Sequence, residues 1–256
     1  MNLKNYFDDF TFNARVKPVL TIVFPILLVC IVKSVFEFEI IETSVLLGII
    51  VVAVTFGAYI VRELGKNYEE KMYKKLGAKP TTIIFRFSDD KLNMFSKIRY
   101  HKWFNEKYEE LKLPISMETE ERDKRSDEKY ASAVDILRNL ANSDRSKFPR
   151  VYQELKKYHY WRNLRGVKWY ALVMYLITIL IQGLNMQGFD FYNLLRLNSL
   201  DYLIIVGMIV WSLIFCVIVN KKTVQRNAFD YAKVLVEVIE ILDSEEHNLR
   251  TNTLDN

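Results

Sequence analysis

Between Phe95 and Tyr108 the chain reads FSKIRYHKWFNEKY, in which Lys97, Arg99, Lys102 and Lys107 alternate with Tyr100, Trp103, Phe104 and Tyr108. With Arg86 upstream, Lys97, Arg99, Tyr100, His101 and Lys102 form a candidate ligand-binding set. Guanidinium and ammonium groups hold phosphate oxygens, and aromatic faces stack on bases, so this mixture suits a nucleotide or a short nucleic acid. On one helix Lys97 and His101 share a face, as do Arg99 and Trp103. No acid follows in the sequence until Glu106. Two other readings fit the same residues. One is a juxtamembrane helix against anionic lipid; the other is a solvated face over apolar packing.

The elements that must position this stretch are set by four apolar runs. Half of the 256 residues are hydrophobic and about a quarter are charged, and the two kinds are segregated. Thr43 to Val61, Trp169 to Phe189 and Tyr202 to Asn220 carry no charge over 19, 21 and 19 residues, and Pro18 to Val32 adds 15 more. About 20 apolar residues in a helix cross a hydrocarbon core of roughly 30 Å. The first run reaches that length if it extends from Val16 to Phe36 and its two lysines snorkel. It follows Asp8 and Asp9 and precedes Lys33-Ser34-Val35-Phe36-Glu37, with no small-residue cleavage site, so it reads as a span rather than a signal peptide. The expected fold class is an all-α membrane protein with four transmembrane helices. A mostly helical cytoplasmic domain, 62–168, is inserted between the second and third spans. The expected divisions are an N-terminal segment 1–17, a hairpin of spans 18–61, that domain, a second hairpin 169–220 and a C-terminal helix and tail 221–256.

Orientation follows from the flanks. Lys and Arg collect at Arg15 and Lys17, from Arg62 to Lys79, from Arg150 to Lys168, and at Lys221, Lys222 and Arg226. The connections 33–42 and 190–201 instead favour acids. By the positive-inside rule both termini and the segment 62–168 are cytoplasmic. That segment holds 26 basic and 17 acidic residues, yet 82–148 alone holds 14 and 13. The excess is membrane-proximal, so topology accounts for it and bulk charge argues little for DNA or RNA binding.

Within the cytoplasmic part, Leu64, Tyr68, Met72 and Leu76 predict a helix continuing from the second span and stopping at Gly77. TTIIFRF, Thr81 to Phe87, predicts a short strand or an extended strap. Ser88 with Asp89 and Asp90 predicts a helix start. Glu118 to Lys129 reads as a solvated loop or frayed helix. Tyr130, Ala133, Val134, Leu137 and Leu140 predict an amphipathic helix, and Pro149 opens another reaching Gly166. In the tail, Val224, Ala228, Tyr231, Leu235, Val238 and Leu242 repeat at 4, 3, 4, 3, 4 spacing. That seam fits either packing on the chain's own domain or a subunit contact.

Catalytic motifs are missing from the sequence. Gly65-Lys66 lacks the rest of a phosphate-binding loop, and there is no G-x-G-x-x-G, H-E-x-x-H or G-x-S-x-G. Cys30 and Cys216 both lie in apolar runs, and no cofactor or metal is implied. The chain reads as a non-enzyme. Polar residues within the spans, Thr55, Thr178, Gln182 and Asn185, are the candidate pore-lining set; the same side chains also suit bonds between helices.

Short membrane spans, a small cytoplasmic part without catalytic motifs and a modest basic–aromatic site resemble the membrane effectors of bacterial antiphage systems, the CBASS-type and Hailong-type channel effectors. KPTTIIFRFSDD, KIRYHKWF and YHYWRNLRGVK are also similar to runs in bacterial four-pass proteins. The effector resemblance implies a homo-oligomer in the bacterial inner membrane. It also implies a cytoplasmic part that answers a nucleotide or short nucleic-acid signal from a synthesising protein by changing ion permeability. A non-conducting membrane-anchored scaffold or regulator that binds a partner protein through the tail seam is the alternative. Protease mapping of oriented membrane vesicles is expected to cut near Tyr130 from the cytoplasmic face alone; cleavage there from the outer face would overturn the four-span topology.

Overall fold

The computed structural model describes residues 8–37, 40–184 and 199–254. Among these, regular structure is helical throughout, with no strand. The chain divides into two compact units. Unit 1 comprises Met1–Glu69 with His159–Val224, and unit 2 comprises Glu70–Tyr158 with Gln225–Asn256.

Unit 1 begins with α1 (Asp9–Thr11), where the Asp8 carboxylate accepts the Thr11 amide at 2.9 Å. A π-helical turn, Phe12–Val16, leads into α2 (Lys17–Glu37). The first apolar run thus gains the length it lacked, and Pro25 lies inside it. Proline leaves the carbonyl four residues earlier without its amide, a defect tolerated where neighbouring helices supply donors. One residue away, Tyr175 Oη donates to the Ile22 carbonyl at 3.0 Å. The second run is helical throughout as part of α3 (Ile40–Leu76). The third belongs to α8 (Pro149–Leu184), which continues from the predicted Pro149 helix without a break. The fourth is α9 (Ser199–Ile218). Three of the helical stretches, Asp9–Val32, Pro149–Gly183 and Asp201–Ile218, are long and apolar enough to cross a membrane.

Burial in unit 1 runs opposite to that of a water-soluble bundle. Its core is mainly aliphatic, with Val16, Val19, Leu164 and Val167 packed beside Ala171, Tyr175 and Phe215. Large apolar side chains point outward: Phe24, Phe56, Leu203 and Val217 are each more than half exposed. Such a surface is unfavourable in water and neutral in lipid.

Two devices hold unit 1 together where backbone polarity would otherwise be orphaned. The first is a close crossing of α3 and α8. A Cβ on Gly166 would stand 2.6 Å from the Gly65 nitrogen and from the Leu64 carbonyl, and one on Gly65 would stand 2.0 Å from Asn163 Oδ1. Only hydrogen fits at either position, as in small-residue helix contacts. Fully buried Asn163 donates from Nδ2 to the Ala14 carbonyl at 2.6 Å, and Arg162, also buried, donates to Asn163 Oδ1 and to Glu69. The second device is the C-terminus of α9, whose last four carbonyls have no intrahelical partner in an ideal helix. Here the Phe215 carbonyl takes the Val219 amide, Cys216 takes Lys168 Nζ at 2.7 Å, Val217 takes Asn220 Nδ2 and Ile218 takes Thr223 Oγ1. Lysine at a helix C-terminus also opposes the helix dipole favourably.

In unit 2, α3 ends at Leu76 and Gly77 takes a positive φ of 81°, the expected glycine stop. Three expectations are corrected here. The predicted strand or strap at 81–87 is instead α4 (Pro80–Ile83) followed by turns, with Ile84 and Phe85 wholly buried. Pro80 at the first helical position favours the helical turn, and burial overrides β-propensity. The predicted start at Ser88–Asp90 moves to α5 (Met94–Lys107), capped by Asn93 Oδ1 on the Phe95 amide at 2.8 Å. Asp89 is committed instead to the amide and ammonium of Lys91, each at 3.0 Å. The expected loop or frayed helix at 118–129 contains α6 (Met117–Arg122), closed by a Ser116–Thr119 capping box, and the start of α7 (Ser126–Ser143). α7 buries Tyr130, Ala133, Val134 and Leu137 as its period predicts. The tail seam is split by a turn at Glu237 into α10 (Lys221–Val236) and α11 (Val238–Leu254). Ala228, Tyr231, Leu235 and Val238 are buried within unit 2, and the Tyr231 ring lies parallel to Tyr158 at 6.4 Å. The seam therefore packs on its own unit. Gly166→Ala is expected to destabilise unit 1 by about 1–3 kcal/mol through the backbone clash, read as a lower melting temperature in detergent; an unchanged value would show that the crossing is not tight.

Candidate functional site

α5 carries the basic–aromatic stretch, and its position follows from which face unit 2 buries. Tyr100, Trp103 and Phe104 form an apolar face, and Lys97 and His101 are drawn in with them. Phe85, from the turn after α4, stacks on His101 with centroids 5.4 Å apart and on Tyr130 at 5.9 Å. Phe87 meets the His101 edge at 5.1 Å.

The six predicted contact residues separate into three groups. Lys97, Tyr100 and His101 are 1%, 1% and 0% exposed, so none presents a phosphate-binding group or a stacking face to a solute. Lys97 Nζ donates to the carbonyls of Arg86 and Asp89, tying the 84–93 turn to α5. Burial pushes its pKa down, while Asp89 and Glu120 oppose that shift. His101 Nδ1 stands 2.5 Å from the Pro114 carbonyl, and desolvation lowers its pKa to about 4. Tyr100 Oη donates to Glu240 at 2.6 Å, and burial, then Glu240, raises its pKa. Arg86 and Arg99 reach solvent but are paired. Arg86 holds Asp127 with two bonds, Nε to Oδ1 at 2.8 Å and Nη2 to Oδ2 at 2.6 Å, and that pairing raises its pKa. Arg99 pairs with Glu240 and lies over the Tyr100 ring at 5.4 Å. Lys102 alone makes up the third group and is exposed.

The neighbouring cleft, about 340 Å³, opens beside Arg86. Glu120, Glu121 and Asp127 line it along with Arg86 and Lys124, so its charge does not suit a phosphate. Glu120 is further committed to the Phe87 amide and to Tyr130 Oη, at 3.0 and 2.8 Å.

Of the pore-lining candidates, Thr55 is exposed on α3. Thr178 Oγ1 donates to the Met174 carbonyl of its own helix at 2.9 Å. Gln182 is buried and donates to Asp201 of α9, so it acts as a bond between helices rather than as a lining group. Asn185 lies outside the described residues. Among the described residues no cluster of His, Cys, Asp and Glu has the geometry to hold a metal ion.

The residues that sequence reasoning missed are the partners: Glu240, Glu120, Asp127 and Asn163. Glu240 lies 140 positions from Tyr100, so no local spacing announces the pair. The one available signal was compositional. The acids Glu237, Glu240, Glu245 and Glu246 gather in the tail, while around Lys97, Arg99 and Lys102 the sequence holds no acid between Asp90 and Glu106. No family model, curated protein or solved structure matches the chain.

His101 is neutral in the folded chain and stays so down to about pH 4, whereas the unfolded histidine takes a proton near pH 6.5. Stability is therefore complete above pH 6.5 and is lost as pH falls towards 4, by about 3 kcal/mol over that window. Denaturant melts of the native chain are expected to show a slope of this sign between pH 6.5 and 5, above most carboxylate titration, and His101→Phe to reduce it, the remainder belonging to His159, whose pKa burial also lowers. An equal slope in both would assign the loss to other groups.

Proposed function

We propose that the chain is a four-span integral membrane effector, with 43–61 as the remaining crossing and with unit 2 and both termini in the cytoplasm of a bacterial cell. The observation that carries this reading is the outward apolar surface of unit 1, where Phe24, Phe56, Leu203 and Val217 need a lipid solvent. In the inner membrane several copies surround a path for ions, as the resemblance to antiphage effectors implies. The signal is a nucleotide or short oligonucleotide made by a partner protein, as the resemblance to antiphage effectors implies. Arg99 and Lys102 are the two residues of the predicted set on α5 that reach solvent, and they are the best placed of it to meet the signal.

The commitment of Thr178 and Gln182 to helix bonds within one chain favours a second reading, a membrane-anchored scaffold that conducts nothing. The tail seam is buried, so a partner would dock elsewhere than the sequence suggested. Proteoliposomes containing the purified chain are expected to release potassium when a nucleotide or short oligonucleotide from a test panel reaches unit 2. Absence of flux at every imposed potential and with every panel member would leave the scaffold.

A further inference from the structure

Two cations of α5, Arg99 and Lys107, are already occupied by anions, and those anions come from the chain's own tail. Glu240 accepts from Arg99 and from Tyr100 Oη, and Glu246 accepts from Lys107 at 2.5 Å. Glu245 pairs with Lys147, and Glu237 lies 3.9 Å from Arg150. On α5 the two pairing sites are eight residues apart, about 12 Å along the axis; on α11 they are six apart, about 9 Å. The helices therefore run side by side, and a row of carboxylates lies along a row of donors. An arginine and a hydroxyl converging on one carboxylate oxygen is also the arrangement that receives a phosphate oxygen.

The attachment of this segment changes at Ile239. Leu235, Val236, Val238 and Ile239 are at most 1% exposed and anchor the tail in the core of unit 2. From Glu240 to Asn248 no side chain is buried. A turn at Glu237 interrupts the helix just before this change. The distal part of α11 is thus held mainly by exposed or half-exposed ion pairs. Each such pair contributes little and is screened by salt. A segment attached in this way opens at low cost, in contrast to the anchored part behind it.

We propose that the distal part of α11 is an anionic latch covering a phosphate-binding face made by Arg99, Tyr100, Lys107 and Lys147, and that a ligand bearing several phosphates displaces it. A polyphosphate carries more charge per contact than a row of separate carboxylates, so it competes for the same donors with an advantage. The inference rests on the effector reading for its purpose, while its geometry stands within unit 2 alone. It also accounts for the paired state of Arg99, because the visible structure is then the closed one.

The test is hydrogen exchange of the full chain in neutral-lipid nanodiscs, following the amides of residues 240–248. Inorganic tripolyphosphate is expected to speed exchange there well beyond sodium chloride at matched ionic strength. Nanodiscs containing phosphatidylglycerol form a second arm, and acceleration in that arm alone assigns the anion to lipid headgroups. The E240Q/E246Q variant is expected to exchange about three- to tenfold faster without any phosphate, from the loss of two exposed pairs. Arg99→Glu is expected to open the latch, and combining it with Glu240→Arg to close it again, which separates latching from misfolding. Exchange that neither phosphate arm nor these variants alter would overturn the latch. Potassium flux from proteoliposomes is read separately: an opening latch without flux retires the effector reading and keeps the latch, and flux with a static tail does the reverse.

Discussion

Backbone contact between α3 and α8 at Gly65 and Gly166 is the constraint on which unit 1 depends. The crossing lies just beyond the uncharged runs that end at Val61 and begin at Trp169, and close packing and polar bonds between helices hold it. The glycines permit the approach, and Asn163 uses it, reaching past Gly65 to the Ala14 carbonyl. Arg162 then closes the far side through Asn163 and Glu69. A charge buried this deeply is costly unless paired and hydrogen-bonded, and here it is both. The outer surface is left to large apolar side chains that are more than half exposed, Phe56, Leu203 and Val217 among them.

Unit 2 solves a different problem. It must bury part of a helix rich in cations, and it gives three of the buried polar side chains an oxygen. Lys97 takes two backbone carbonyls, His101 takes the Pro114 carbonyl and Tyr100 takes a carboxylate. The aromatic residues that make FSKIRYHKWFNEKY look like a stacking platform are the apolar core in which those groups are desolvated. A ring fully enclosed by Phe85, Phe87 and Tyr130 cannot also stack on a base. What survives as candidate recognition chemistry is the solvent-facing side of α5, where Arg99 and Lys107 meet acids of the tail. The proposed latch makes recognition there an exchange between anions rather than the filling of an empty site.

Much of the architecture was written in local pattern. Uncharged runs of bilayer length marked the long helices, Gly77 and Pro149 marked a stop and a start, and the 3.6-residue period of α7 named its buried face. These features depend on neighbours in sequence, which is why a sequence displays them. The failures share a cause. TTIIFRF has β-branched propensity, but Pro80 and the burial of Ile84 and Phe85 decide its shape. Ser88–Asp90 has capping chemistry, but the amide and ammonium of Lys91 take the Asp89 carboxylate.

The sequence by itself determined that this chain is helical and that it carries lipid-compatible helices beside a charge-rich part, since composition and period suffice for both. Only the tertiary structure decided which charges are available. Whether a lysine is a ligand contact or a clamp on a turn depends on desolvation and on partners as distant as residue 240, and neither quantity is a property of the local stretch in which the lysine sits.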